Sequence, residues 1–206
     1  MKKVYLIIAA LVIVSCEPEV KIDYAIISGK ITNTTSEKAS LVKQADRSLV
    51  KEITLTEDGS FNDTIKLNKG SLFAFYEGRN TTNLYLSAGD NISINYDAKE
   101  RKTTLEITGK GSAYANYLTE KALKYKKSVG EGTDVYIKEE NEYLKTFKDI
   151  KQSQEDLLYN TKGISEEFKQ LEKKNINYAY LSNLNKYKSY HSYYAKKPGF
   201  KTSEGF

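Results

Sequence analysis

The chain has 206 residues, of which 29% are charged and 39% hydrophobic, and its formal net charge is +5 at pH 7. Charges of both signs are interspersed and no basic stripe stands out, so the positive balance indicates a solvated surface and gives no reason to expect nucleic acid as a partner. A single cysteine excludes a disulfide within the chain. A single histidine excludes metal sites built from histidine clusters and argues against a Ser-His-Asp triad.

The N-terminus has the anatomy of an export signal. Lys2 and Lys3 precede an apolar run over 4–14, which is shorter than the roughly 20 residues that a membrane span needs. The segment 13–16 resembles the lipobox of bacterial prolipoproteins, in which a cysteine, here Cys16, is diacylated before the signal is removed. The resemblance implies cleavage before Cys16 and stable attachment to a membrane, because more than one acyl chain holds a protein there durably.

Changes in the residue pattern along the sequence divide the chain into five parts. We expect a lipoprotein signal peptide at 1–15, a lipidated linker at 16–23, a β domain at 24–110, a helical segment at 111–195, and a tail or truncated linker at 196–206. The boundary between the β domain and the helical segment falls where runs of β-branched residues are replaced by apolar residues at helical spacing.

The β domain is predicted from short β-branched and aromatic runs separated by turn residues. Several runs alternate apolar and polar residues with period two, as half-buried strands do, notably around Phe61 and Ile92. The intervening segments 57–60 and 87–90 suit hairpin geometry. About eight strands of this kind favour an antiparallel β-sandwich or open barrel. The predicted strands span 24–32, 39–43, 49–55, 61–67, 72–76, 83–86, 92–96 and 103–107.

Three amphipathic helices are predicted to follow. The string at 109–112 lacks the spacing of a phosphate-binding loop and is interpreted as a strand-to-helix turn, with Ser112 capping the first helix. A second helix is predicted over 134–159, capped by Asp134, and a third begins at Ser165. Apolar residues three and four apart indicate a helical hairpin or small bundle. The stripe of the third helix consists of Phe168, Leu171, Tyr178, Leu181 and Leu184. The fold class is therefore α+β, with the sandwich followed by a three-helix segment.

Tyrosine is the most unusual feature of the composition, with 17 residues and no tryptophan. The third helix holds six of them between Tyr178 and Tyr194, and we predict that they pack this helix against the sandwich or another domain. Because an apolar ring with a polar tip also suits an interface or a glycan platform, Tyr180, Tyr187 and Tyr194 are candidate contacts for a partner. His191 lies on the same stripe and is predicted to be a partly exposed packing residue.

Five short motifs carry a resemblance to a known family. They are ISGKI at 27–31, DGSF at 58–61, LYLSAGDNI at 84–92, GKGS at 109–112 and NYL at 116–118. Together they resemble an N-terminal β domain of unknown function found on lipid-anchored thiol-disulfide oxidoreductases of the TlpA/ResA type in Bacteroidetes. In that family a helical segment follows, and then a thioredoxin-fold domain with a Cys-x-x-Cys motif.

The resemblance implies a non-catalytic role for this chain. No Cys-x-x-Cys occurs in the sequence, so no redox residue of the family can be carried over, and we expect no catalytic residue, cofactor or metal. A full-length relative would be a protein disulfide reductase, in which this region anchors the enzyme and positions or docks the thioredoxin domain. The chain is expected to be either a fragment of such a protein or a relative without the catalytic domain.

A second function stays open at this point. The chain also fits a free-standing envelope lipoprotein that binds a glycan or a protein through strand edges and tyrosines. Both hypotheses place it at a membrane through its lipid, with a protein partner or a second copy of the chain as a further candidate contact. Glu17 and Glu19, beside the lipidation site, favour delivery to the outer membrane, facing the periplasm.

Overall fold

The computed structural model describes residues 22–206, so the predicted signal peptide at 1–15, Cys16 and the linker up to residue 21 lie outside the described residues. Between residues 22 and 206 the chain has the predicted α+β fold. The strands are β1 Tyr24–Thr32, β2 Lys38–Lys43, β3 Leu49–Thr54, β4 Ser60–Lys66, β5 Ser71–Glu77, β6 Asn80–Leu86, β7 Asn91–Asp97 and β8 Glu106–Lys110. The helices are α1 Arg101–Thr104, α2 Ser112–Val129, α3 Asp134–Ile137, α4 Glu140–Asn160 and α5 Glu166–Tyr194.

Two four-stranded sheets pack as the predicted sandwich. Their strand orders are β4-β1-β7-β8 and β3-β2-β5-β6. All neighbouring strands are antiparallel except β1 and β7, which run parallel with Ile27 opposite Ile92. The predicted antiparallel sandwich is thus confirmed, with this one parallel pair within it. A parallel pair needs a long crossover, and the chain supplies one by building the whole second sheet between β1 and β7.

The core of the sandwich consists of the residues that the period-two pattern places on one face. Ile27, Ile92 and Ile94 are at most 1% exposed, and Phe61 is 5% exposed. Phe61 also stacks on Phe75 of the opposite sheet, with ring centroids 5.4 Å apart. Each such side chain contributes about 1.5–3 kcal/mol on full burial, so apolar packing alone can hold the two sheets together.

The last strand begins later than predicted. The prediction of a strand over 103–107 is wrong in its first half, because the hydroxyls of Thr103 and Thr104 donate to the carbonyl oxygen of Glu100 and turn the chain into α1. Strand β8 then continues through Gly109, where a Cβ would lie only 2.2 Å from the backbone oxygen of Asn91. Only glycine permits that close approach.

The helix starts are partly as predicted. At α5, the Ser165 hydroxyl accepts a hydrogen bond from the backbone N–H of Phe168 at 3.2 Å, which confirms Ser165 as the cap. At α2, Gly111 holds the cap position in the left-handed conformation and Ser112 is the first helical residue, so the prediction of Ser112 as the cap is wrong. The predicted helix over 134–159 is two helices, α3 and α4, with extended backbone at Lys138.

The helices form a layer along one edge of the sandwich, where β6 and β8 are the outer strands of the two sheets. Helix α2 packs on β6 and β8, and α4 packs on both α2 and α5. An aromatic cluster joins the two parts, since the ring of Phe168 lies 4.8 Å from that of Tyr85 on β6 and 4.9 Å from that of Tyr114 on α2. Among the helices of residues 22–206, none combines the length and the apolar character needed to cross a bilayer.

The tail at 196–206 folds back on the helical layer. Its Phe200 and Phe206 lie 5.7 and 5.0 Å, between ring centroids, from Tyr187 of α5. Lys197 forms an ion pair with Glu139. The residues of this predicted tail or truncated linker therefore pack as part of the body.

Candidate functional site

A cavity of about 840 Å³ lies between the sandwich and the helical layer. Its walls come from the end of β2, the loop from β4 to β5, the middle of β6, and helices α2, α4 and α5. Leu72, Leu118 and Leu171 give it a largely apolar lining. The volume lies in the range of about 300–1,000 Å³ typical of small-molecule sites, and such sites occur preferentially where two structural units meet.

A buried carboxylate faces this cavity. Glu172 of α5 is 1% exposed, and its Oε2 accepts hydrogen bonds from the Lys121 ammonium and from the Tyr117 hydroxyl at 3.2 Å. Its Oε1 accepts from the side-chain amide of Asn175 at 2.7 Å. Burial raises the pKa of Tyr117, and the negative charge of Glu172 raises it further, so Tyr117 stays a neutral donor. The carboxylate is thus stabilised by three donors, as a buried charge requires.

Four carboxamide side chains contribute further polar groups to the lining. Gln44, Asn83, Gln154 and Asn175 all border the cavity. The amide of Gln44 donates to the side-chain oxygen of Asn83 at 2.9 Å and to the backbone oxygen of Phe73 at 3.1 Å, which fixes its orientation. A carboxamide both donates and accepts hydrogen bonds, so these groups can meet the polar atoms of a ligand.

Charge in the cavity is predominantly positive. Lys43, Lys69 and Lys121 contribute ammonium groups against the single carboxylate of Glu172. Because Glu172 is paired with Lys121, the charges of Lys43 and Lys69 at the mouth determine the sign that an incoming ligand meets. Tyr125 adds a phenol, whose pKa is raised by burial.

The three tyrosines predicted as partner contacts lie in different environments. Tyr187 is fully buried and donates its hydroxyl to the backbone oxygen of Lys138, so the expectation that it contacts a partner is wrong for this structure. Tyr180 is half-buried, and its ring lies 5.4 Å from the Lys151 ammonium. Tyr194 is 37% exposed and stacks on Tyr136. The three side chains therefore do not form one contact surface.

His191 is buried, whereas the sequence predicts partial exposure. Its Nδ1 lies 2.9 Å from the backbone oxygen of Tyr136, which assigns the proton to Nδ1 and makes this nitrogen the donor. Its Nε2 is buried with no hydrogen-bond partner among residues 22–206. Phe200 covers the ring at 4.5 Å between centroids, so His191 serves the packing of the tail on α5.

A second buried polar cluster lies at the end of the sandwich opposite the cavity. Glu77, 3% exposed, accepts hydrogen bonds from the hydroxyl of Thr34, from the amide of Asn80 at 2.9 Å and from the hydroxyl of Tyr96 at 3.1 Å. Arg101 covers the Tyr96 ring and donates to the Thr82 hydroxyl. Arg101 Nε is buried without a hydrogen-bond partner among residues 22–206, whereas the carboxylate of Glu77 has three donors, so we interpret the cluster as structural.

The residues of the cavity are ones that sequence reasoning missed. Glu172 lies in the stretch LEKK, where glutamate and lysine look like an ordinary solvated face. A usable signal was present, since Glu172 stands four residues from both Phe168 and Ile176, which are buried on the inner face of α5. The predicted stripe was wrong at Tyr178 and Leu181, which are 68% and 50% exposed.

Comparison with known proteins assigns no family to this chain. No protein-family model matches the chain, and no match is found among curated proteins. Among residues 22–206, no group of three or more His, Cys, Asp or Glu side chains is arranged to hold a metal ion. The functional interpretation therefore depends on the geometry of the cavity and on the anatomy of the N-terminus.

Proposed function

We propose that this chain is a lipid-anchored, non-catalytic binding region of the bacterial cell envelope. The observation that carries the proposal is the cavity between sandwich and helices, with an apolar strip in its lining and a buried Glu172 that accepts three hydrogen bonds. A cleft of about 840 Å³ that combines apolar walls with oriented polar groups is typical of a small-molecule binding site.

In the form that the sequence resemblance favours, the chain is the anchoring and docking region of a periplasmic thiol-disulfide oxidoreductase of the TlpA type. The lipid on Cys16 holds the protein at the membrane, and the body formed by sandwich and helices positions the thioredoxin domain or its substrate. The aromatic cluster of Tyr85, Tyr114 and Phe168 supports this role, because it holds the two parts in a fixed relative position.

Two experiments test this form. Sequencing the gene beyond codon 206 is expected to show an open frame that leads to a Cys-x-x-Cys motif. Cells that express the full chain and are fed an alkyne-labelled fatty acid are expected to label the wild-type protein and not the Cys16→Ser variant. A mature protein with an intact leader or an unmodified thiol at Cys16 contradicts the anchoring half of the proposal.

A second candidate function is a free-standing lipoprotein that binds a glycan. The four carboxamides and Tyr125 in the cavity favour it, because amides and an aromatic ring can meet the hydroxyls and the apolar faces of a sugar. A stop codon directly after codon 206 together with specific retention on a glycan array supports this candidate. Retention that survives substitution of Asn83 and Asn175 by alanine contradicts it.

A further inference from the structure

We propose that the cavity binds an anionic amphiphile, a ligand with an extended apolar body and a single carboxylate or phosphate head. The proposal rests on the binding function proposed above and names the ligand class of the same cavity. Three independent features of the site carry it, namely its apolar walls, its charge and its position relative to the predicted membrane anchor.

The apolar side chains of the cavity walls can pack against the apolar body of the ligand. Leu118 and Ala122 of α2 face Leu171 and Ala179 of α5 across the space, and Leu72 of β5 lines the sandwich side. These leucine and alanine side chains carry no hydrogen-bonding group, so together they form an apolar strip beside the polar residues of the lining. An acyl chain or a similar apolar body placed there leaves water for an apolar environment, which is favourable in proportion to the area buried.

The charged side chains of the lining determine which head group the ligand carries. Glu172 accepts hydrogen bonds from Lys121, Tyr117 and Asn175, and its charge is already paired with the Lys121 ammonium, so this carboxylate gives little preference for a cationic head. Lys43 and Lys69 border the same space, and neither takes part in an ion pair within residues 22–206. An ammonium recognises a carboxylate or phosphate head as a compact charge with several rotatable donors.

One acid near the mouth offsets part of this charge, because Asp46 lies close enough to Lys43 for the two charges to interact, whereas Lys69 has no such partner among the ion pairs of residues 22–206. Asp46 follows β2, and its carboxylate accepts hydrogen bonds from the backbone N–H and the hydroxyl of Ser48 at 3.0 and 2.6 Å. It is an exposed loop residue outside the lining, whereas Lys43 borders the cavity. The mouth therefore presents a net positive charge to a ligand.

The chain reaches the body on the side of the cavity. The backbone oxygen of Asp23 accepts a hydrogen bond from the N–H of Leu67 at 2.7 Å, and the Asp23 carboxylate pairs with Lys66. The loop that begins at Leu67 continues directly into Lys69 and Leu72, which line the cavity. A chain extends at most about 3.6 Å per residue, so seven residues place a lipid on Cys16 within about 25 Å of Asp23. The membrane that holds the lipid is thus a nearby source of amphiphiles.

A photo-crosslinking experiment on the full chain tests the proposal. Membranes from cells that express the lipoprotein are mixed with a long-chain fatty acid carrying a mid-chain diazirine, or with the matching fatty alcohol, and are then irradiated. Peptide mass spectrometry is expected to locate the acid probe on the α2 and α5 peptides that contain Leu118 and Leu171. Labelling by the uncharged alcohol is expected to be weaker than labelling by the acid by a factor of about three, since one exposed charge pair contributes a factor of that order.

Variants separate the cavity from the rest of the surface. Ala122→Trp places a large ring in the space from an exposed position of α2 and is expected to reduce labelling by the acid about five-fold or more. The matched control Leu181→Trp, at a 50% exposed position of α5 outside the cavity, is expected to label like wild type. Lys43→Gln with Lys69→Gln is expected to reduce labelling by the acid and leave the alcohol unchanged, whereas Lys186→Gln alters neither. Circular dichroism of each variant confirms the fold.

The outcomes distinguish the ligand class from the binding function. Competition by unlabelled fatty acid but not by phosphatidylglycerol identifies a free acid as the source, and the reverse identifies a membrane lipid; either result supports the proposal. Labelling that is spread over the sandwich surface, is insensitive to Ala122→Trp or is equal for acid and alcohol overturns it. If the fatty-acid probe does not label the cavity while Ala122→Trp abolishes specific retention of the protein on a glycan array, the proposed ligand class is wrong and the proposed binding function stands. If Ala122→Trp alters neither the labelling nor the retention, the ligand class and the binding function are both wrong.

Discussion

The hydroxyl of Tyr187 lies 3.0 Å from the backbone carbonyl oxygen of Lys138, the first of the two residues that separate α3 from α4. The same side chain is fully buried, and its ring packs on Tyr143 and on Phe206 of the tail, with centroid distances of 4.3 and 5.0 Å. One residue of α5 therefore ties together the helix break, the start of α4 and the tail. Burial raises the pKa of this tyrosine to about 12, so it remains a donor at neutral pH.

Tyr187→Phe is expected to reduce the free energy of unfolding by about 1–2 kcal/mol, because it removes the hydroxyl and leaves the Lys138 oxygen without that donor. Urea denaturation followed by circular dichroism measures the change. Tyr193→Phe is the matched control, since Tyr193 is 76% exposed on the same helix and should change stability by less than about 0.5 kcal/mol. Equal effects of the two substitutions would show that the hydroxyl of Tyr187 contributes nothing.

Phe168→Ala is expected to loosen the junction between sandwich and helices. The ring is fully buried and lies within 5.6 Å of Tyr85, Tyr114 and Tyr117, counted between centroids. Truncating a buried phenylalanine costs about 3–5 kcal/mol. The loss should fall on the interface, so hydrogen exchange should speed up in α2 and α5 more than in β1 and β7. Leu181→Ala, at a half-exposed position, is the control, and uniform acceleration across the chain contradicts the interpretation.

The pair of Lys121 and Glu172 is expected to show strong energetic coupling. Removing the ammonium alone, as in Lys121→Met, leaves a buried carboxylate with fewer donors and should cost about 3 kcal/mol. The double variant Lys121→Met with Glu172→Gln should be destabilised by less than the sum of the two single variants, because the neutral amide of glutamine no longer needs a cation. The double-mutant cycle should give a coupling energy of about 1–3 kcal/mol, measured by urea denaturation. Additive effects would mean that the two side chains act independently despite their contact.

Local pattern was sufficient to predict most of the sandwich. Ile92 and Ile94 alternate with polar residues, and their burial on one face follows directly from the geometry of a strand. The parallel pairing of β1 with β7 could not be predicted in this way, because alternation specifies a face and not a partner. The break at Lys138 was missed for a similar reason: the helical spacing continues through it, and the interactions that hold it come from α5, about fifty residues later in the chain.

The candidate site was much harder to predict than the fold. The cavity combines Lys43, Lys69, Lys121 and Glu172, which lie in four separate segments, and no local pattern relates them. Burial of Glu172 depends on donors from α2, so a helix considered alone predicts only a solvated glutamate. His191 was likewise predicted to be partly exposed, because the residue that covers it, Phe200 of the tail, lies outside α5 and does not enter the helical spacing.

Acid titration of Glu77 gives the last prediction. Burial raises the pKa of this carboxyl, but hydrogen bonds from Thr34, Asn80, Ser36 and Tyr96 lower it more, so its pKa in the folded protein lies below the ordinary 4.5. The unfolded chain thus binds this proton more readily, and the stabilisation is fully present above pH 4.5 and is lost as the pH falls through the lower, folded pKa. Glu77→Gln should therefore cost about 2 kcal/mol at pH 7, and the difference from wild type should shrink as the pH falls below the ordinary value of 4.5. Urea denaturation at a series of pH values measures this difference, with Glu57→Gln in an exposed turn as the control for loss of one acidic charge. A difference that stays constant as the wild type is titrated to its acid unfolding would show that Glu77 gains nothing from its ionised form.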